Sequence, residues 1–491
     1  MVRFPVAALL LLLAIAPCRA DDMLAPESSK SLTVDLCRDD AATSVACKNA
    51  SLQALARAVD AAAKAAIAKA DARAAVLLKR DQVWFSEIVS LDEQNEDQNA
   101  GPEVWDKLAA ALKRRRAALE EIAQGLGRTA IVGKWVNAFG SVEIAPAADG
   151  TLRATMATEA RYGPDDVQQE SCKASIIVRP DTDGWLAGDS EPSTPVPGDK
   201  MERARLRIRQ QGETLRVLAG DEIHVQDDPG KFNCNGVNQI TGSYFPAGQT
   251  RAARTPAPFT APIFDCAHPS TASEEEICAD PELAANDQRI NRDWKALLPR
   301  LKPAMRQLLM EDQRAWIKTQ AIRYPDALHL PSAKLSFFVH WTGVARDNLA
   351  AIQRERTAML ERYDETRRGF EGDWSAYNAA VSVYRAKDGK LHVEGNKWFE
   401  DDYKGGCDYD FTGTAVGDVF HPDDTSDNPD SVALDRGTLI VNPTDDKFVK
   451  QRETGGPLPP HAPDGKCRRS PLISSTARLF PVRPARDAGK L

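Results

Sequence analysis

The chain carries one ordered set of marks twice. Cys37 and Cys47 stand ten residues apart, and Cys266 and Cys278 twelve; Trp84 follows the first pair and Trp316 the second at nearly the same distance. Gly133-Lys134-Trp135 then precedes Asp149-Gly150 by the same 14-residue step, tryptophan to aspartate, that separates Gly372-Asp373-Trp374 from Asp388-Gly389. Cys172 and Cys234 lie 62 apart, and Cys407 and Cys467 60. Every mark recurs 229 to 239 residues later. Self-similarity at one period is the signature of a copied structural unit, so the chain reads as a tandem duplication of a two-part module.

The first part of each unit has a helical pattern. Asp280-Pro281-Glu282 supplies a cap, a first-turn proline and an acidic residue suited to the helix dipole, and Asn49 caps in the first copy. Met305, Leu308, Leu309, Asp312 and Trp316 fall on one helical stripe, as do Leu77, Trp84 and Ile88, which assigns both tryptophans to the core. A third helix is expected around Val104–Ile122 and around Ser332–Arg362. The second part has a period of two. Val142 and Ile144 alternate towards Asp149-Gly150, and Leu152, Ala154 and Met156 alternate away from it; Val381, Val383, Leu391 and Val393 flank Asp388-Gly389 in the same way. Gly212 and Gly437 mark a further hairpin in each copy. The fold class is therefore α+β: a disulfide-stapled helical domain followed by an antiparallel β domain, barrel- or sandwich-like, written twice. The boundaries read 21–128 helical and 129–248 β in the first copy, and 263–368 helical and 369–491 β in the second. Residues 249–262, rich in proline and alanine, form the linker.

Arg3, the apolar run from Val6 to Ala16 and Cys18-Arg19-Ala20 make residues 1–20 a secretory signal peptide, cleaved after Ala20. Acylation of Cys18, as in a lipoprotein, is the competing reading. No later segment approaches the ~20 apolar residues of a spanning helix. The mature chain is thus expected in the periplasm or outside the cell. There its eight remaining cysteines favour disulfides. The repeat selects among the pairings: Cys37 with Cys47, Cys172 with Cys234, Cys266 with Cys278, and Cys407 with Cys467, each within its own part. Halves cut in the linker are expected to fold alone, because few contacts cross such boundaries. Without Arg3 and Arg19 there are 61 basic side chains against 71 acidic ones. That balance opposes nucleic-acid binding and suits a cationic partner.

The helical part resembles a known family. Phe264-Asp265-Cys266, Ile277-Cys278, Asp280-Pro281-Glu282-Leu283 and Asp312-Gln313-Arg314-Ala315-Trp316 are similar to the lysozyme inhibitor LprI-like domain of exported bacterial proteins, and Leu36 to Trp84 resembles it more loosely. The resemblance implies a non-enzymatic binding protein whose partner is lysozyme or another cationic envelope protein. It supplies no contact residues, so none is assigned. The Gly-x-Trp opening of each β part resembles the start of lipocalin-type barrels, which enclose small ligands. This motivates a second reading, a periplasmic carrier of a small apolar or envelope-derived ligand; a tryptophan plugging one end of the sheet is the structural reading.

Catalytic motifs are absent from the sequence: there is no G-x-S-x-G, no H-E-x-x-H and no phosphate loop. The seven histidines show no ligand spacing, and the acidic run His421–Asp430 lacks the glycine and terminal glutamate of a calcium loop. No catalytic residue, metal site or cofactor is assigned.

Overall fold

The computed structural model describes residues 25–37, 45–96, 102–128, 130–158, 161–162, 168–169, 173–189, 205–219, 241–248, 259–328, 338–398, 406–423, 431–442 and 477–484. The signal segment 1–20, Cys172, Cys234, Cys467 and most of the acidic run after Asp423 lie outside these residues, as does the side chain of Cys407.

Among the described residues each unit has four α-helices in the same order. In the first they are α1 (Val45–Lys48), α2 (Ala50–Ile67), α3 (Ala72–Glu96) and α4 (Pro102–Gly125); in the second, α5 (Ala272–Ala279), α6 (Pro281–Leu297), α7 (Pro303–Leu328) and α8 (Phe338–Arg362). The caps are the expected ones. Asn49 Oδ1 accepts from the backbone N–H of Ser51 and Leu52 at 3.0 and 3.2 Å, and Asp280 Oδ1 from Glu282 and Leu283 at 2.9 and 3.2 Å. Along α2 the residues Leu52, Ala56, Val59, Ala63 and Ala66 recur at helical spacing and are all buried. Trp84 and Trp316 are core residues.

Each helical part is followed by a closed barrel of eight antiparallel strands in up-and-down order. The first comprises β1 (Gly133–Val136), β2 (Gly140–Pro146), β3 (Leu152–Thr158), β4 (Lys173–Pro180), β5 (Leu186–Asp189), β6 (Arg205–Gln211), β7 (Thr214–Ala219) and β8 (Gly242–Ala247). The second comprises β9 (Gly372–Ser375), β10 (Ala379–Arg385), β11 (Leu391–Trp398), β12 (Gly406–Val416), β13 (Val419–Pro422), β14 (Ser431–Asp435), β15 (Thr438–Asn442) and β16 (Ala477–Val482). Closure uses the same pair in both: Trp135 lies opposite Pro246, and Trp374 opposite Pro481. Pro246 and Ala247 therefore belong to the barrel, ahead of the linker. The alternating residues fill the interiors. Trp135, Val142, Ile144, Ala154, Met156 and Ile208 form one apolar cluster with their neighbours, and Trp374, Val381, Val383, Leu391, Val393 and Leu439 form its counterpart.

The Gly-x-Trp motif closes one end of each barrel. Trp135 Nε1 donates to the Ile131 carbonyl at 2.8 Å and Trp374 Nε1 to that of Phe370 at 2.7 Å. Arg128 lies over the first indole at 4.4 Å and Arg367 over the second at 5.8 Å. Their guanidinium groups also donate to backbone carbonyls of the first and last strands, at Lys134 and Ala247 in one copy and Val482 in the other. Gly133 and Gly372 have φ of 126° and 125°, and a Cβ at either would run into the arginine. Only glycine suits that corner.

A second repeated device holds each helical part on its own barrel. Asp81 Oδ1 accepts the N–H of Ala138, in the turn between β1 and β2, at 2.9 Å; Asp312 Oδ1 accepts that of Tyr377, in the turn between β9 and β10, at 3.0 Å. The other carboxylate oxygen meets Arg115 at 2.8 Å in the first copy and Arg356 at 2.5 Å in the second. Each arginine also donates through Nε to the glutamine after the aspartate, Gln82 at 3.1 Å and Gln313 at 2.8 Å. The Asp-Gln pair thus joins two helices to a barrel turn. The last helix adds a further link: Gly248 N donates to Glu121 O at 3.1 Å, and Arg483 N to Arg362 O at 2.7 Å.

Candidate functional site at the junction of the two units

The expectation that few contacts cross between the halves does not hold, and the reason is electrostatic. Helix α5 is eight residues long, is capped by Thr271, and is stapled by the disulfide between Cys266 and Cys278, whose Cα atoms are 5.7 Å apart. The equivalent disulfide, Cys37 to Cys47, has its Cα atoms 4.9 Å apart. Nearly all of α5 is buried, including Glu275 and Glu276, and so is Asp280, which ends α5 and caps α6. A carboxylate is not buried without cations or N–H donors around it. The first unit supplies most of them.

Glu275 accepts the backbone N–H of Glu27 at 3.0 Å and of Ser28 at 2.9 Å, which ties the N-terminal segment of the first unit to the second. Glu27 is itself buried and pairs with Lys30 at 2.8 Å. Arg80, on α3, meets Glu276 at 2.8 Å. Arg216, on β7, reaches Glu276 with one nitrogen and Asp280 at 3.2 Å with another. From its own unit Asp280 receives Arg346 at 2.9 Å, and Arg346 continues to Glu282 at 2.6 Å. Arg73 donates to the Cys278 carbonyl at 3.4 Å and to Thr214 Oγ1 at 3.0 Å, while its guanidinium lies over Phe259 at 4.3 Å. At the rim, Arg207 approaches Glu282 at 3.7 Å.

These surroundings move the titrations in opposite directions. Burial pushes the Glu275 carboxyl up to about 7, against the attraction of Arg80 and the hydrogen bonds from Ser28. Burial also opposes ionisation of Asp280, but Arg346, Arg216 and the Leu283 N–H outweigh it and hold this carboxyl well below the usual range. Burial lowers the Arg73 guanidinium to about 10. The chemistry is recognition of guanidinium by converging carboxylates.

Of the sequence-assigned residues, Cys266 and Cys278 come into this site and Cys37 and Cys47 do not. The sequence presents Asp280 as a helix cap, and Glu275, Glu276, Arg80, Arg216 and Arg346 carry no local motif. A residue-by-residue comparison of the copies carries the missing signal. Glu275, Glu276, Asp280 and Glu282 stand where the first copy has Ser44, Val45, Asn49 and Ser51.

Helices and closed barrels joined in this way define a duplicated α+β protein whose helical parts carry disulfides. Residues 266–360, from the stapling cysteine into α8, match the family described as lysozyme inhibitor LprI. That match covers the helical part of the second unit and neither barrel; the likeness of the first helical part rests on the internal repeat. No curated protein and no solved structure matches the chain. Among the described residues no helix is long and apolar enough to cross a membrane.

Proposed function

We propose that the protein is an exported, non-enzymatic binding protein that inhibits lysozyme or another wall-degrading enzyme in the periplasm or outside the cell. The observation that carries this reading is the match of residues 266–360 to the LprI inhibitor family. The acidic balance of the chain, with a formal net charge of −8, supports it, because a negative surface speeds encounter with a basic enzyme more than it tightens the complex. The apolar clusters filling both barrels favour binding through an outer surface over carriage of a ligand inside.

The test is lysis of a cell-wall suspension by lysozyme, followed by turbidity, with purified full-length protein in molar excess at low and at high salt. Slowed lysis, more strongly slowed at low salt, is the expected result. Undiminished lysis at low salt refutes lysozyme as the target.

A further inference from the structure

The junction divides its charge unevenly. Among its most deeply buried groups the first unit contributes Arg73, Arg80, Arg216 and Glu27, and the second Glu275, Glu276, Asp280 and Arg346. Three guanidinium groups and one carboxylate thus face three carboxylates and one guanidinium, so the two faces neutralise each other. Side chains this deeply buried belong to a permanent interface, where removal of one partner strands a charge.

The two faces also lie at different places in the repeat. The acids are on α5 and at the start of α6, whose counterparts in the first unit are Ser44, Val45 and Asn49. The bases are on α3 and β7; their counterparts in the second unit are Ala304 and Glu311 by sequence spacing and Ile440 by hairpin register, two residues past Thr438 as Arg216 is past Thr214. One copy of the module therefore meets the other through dissimilar patches. Such a head-to-tail contact propagates into open assemblies unless something stops it. Here the first unit lacks the acids for another contact and the second lacks the bases, and Glu311, where Arg80 stands in the first copy, would place a carboxylate against the carboxylates of the next α5. An introduced repulsion of this kind is how interfaces acquire specificity.

We propose that the face formed by α5 and the start of α6 is a pairing surface for one partner, the basic face of the first unit, and that divergence between the copies makes this contact form once within the chain and stop. The contact covers Ser273, Glu275, Glu276 and Ala279 around the second staple, whereas Lys48, the counterpart of Ala279 in the first unit, is exposed. A partner of residues 266–360 has to use the part of that segment left uncovered.

The test restores the missing faces in the full-length chain. Acids are installed in the first unit (S44E, V45E, N49D), bases in the second (A304R, E311R, I440R), and then all six together. The unaltered protein and each triple variant should sediment as monomers, and the six-fold variant should form concentration-dependent oligomers. An unaltered protein that already oligomerises, or a folded six-fold variant that stays monomeric at high concentration, overturns the proposal. Because six changes could impair folding, a double-mutant cycle of R80M and E276M runs beside them. Each single change should lower the folding equilibrium constant at least 100-fold, and the loss in the double variant should be at least tenfold smaller than the product of the two single losses. Independent single effects overturn the pairing.

Discussion

Replacing Asp312 by alanine removes one end of two links at once, and the structure sets the size of the effect. The Asp312 and Arg356 side chains are 6% and 1% exposed, so solvent cannot replace the lost carboxylate. A buried guanidinium stripped of its partner is destabilising by about 3–5 kcal/mol. The Tyr377 N–H, which loses its acceptor, accounts for about 1–3 kcal/mol where water cannot reach it. The two effects overlap, since part of Arg356 remains bonded to Gln313, and a net loss of about 4 kcal/mol is expected for D312A. Asparagine keeps an oxygen for Tyr377. Burial raises the Asp312 pKa despite Arg356, which brings the neutral form closer to the charged one, so D312N should be destabilising by about half as much. In the first copy D81A breaks the same contacts, to Ala138 and Arg115, and should match D312A within ~1.5 kcal/mol. Urea unfolding, with the slope compared between variants, measures all three. A loss below ~1 kcal/mol for D312A at unchanged slope would refute the claim that this clasp holds helices to barrel.

Other outcomes follow from the same contacts. Glu275 has a folded pKa near 7 against an ordinary 4.5, so the native state holds the extra proton between those values; its stabilising contribution is complete below pH 4.5 and lost as pH rises through 7. That fall amounts to about 3 kcal/mol, and E275Q should flatten it; an unchanged pH profile of urea midpoints in E275Q would remove Glu275 as its source. Asp280 acts in the opposite sense, because its carboxyl is depressed: its contribution is present above the ordinary 3.8 and declines as pH falls below it. Replacing both Cys266 and Cys278 by alanine opens a 12-residue loop and should be destabilising by about 3 kcal/mol, with protection of the amides of Glu27 and Ser28 falling alongside; stability within 1 kcal/mol of the parent would contradict this role. G372A forces a side chain into φ of 125° beneath Arg367 and should be destabilising by about 1–3 kcal/mol, visible as a lower thermal midpoint; an unshifted midpoint would show that the corner yields.

The features that were legible in the sequence are local ones. Caps at Asn49 and Asp280, alternation around Asp149-Gly150 and Asp388-Gly389, and the spacing of cysteines and tryptophans each act over a few residues, so one copy predicts the other. The sequence does not separate barrel from sandwich, because the first and last strands of each unit meet across more than 100 residues and alternation does not say which edges join. Asp312-Gln313 is visible as part of a family motif, but Asp81-Gln82 carries no such mark, and the arginine partners, Arg356 and Arg115, lie on the following helix and carry no local pattern. The junction was the least legible. Glu275 and Glu276 look like a solvated acidic run, and only three-dimensional proximity to Arg80 and Arg216 makes them interior. The same proximity explains why a proline-rich linker suggested two independent halves: composition reports the chain between the units and not the surfaces that meet beside it.

Hydrogen exchange of the full-length protein, read by mass spectrometry on peptides covering residues 25–33, 70–86 and 272–284, tests most directly the claim that the two copies form one interlocked body. The account predicts that the amides of Glu27 and Ser28 are protected although they lie in a short N-terminal turn, and that all three peptides open together. It also predicts that R80M reduces protection in residues 272–284 of the opposite unit. Free exchange at Glu27 and Ser28, or protection in 272–284 that is indifferent to R80M, would contradict it.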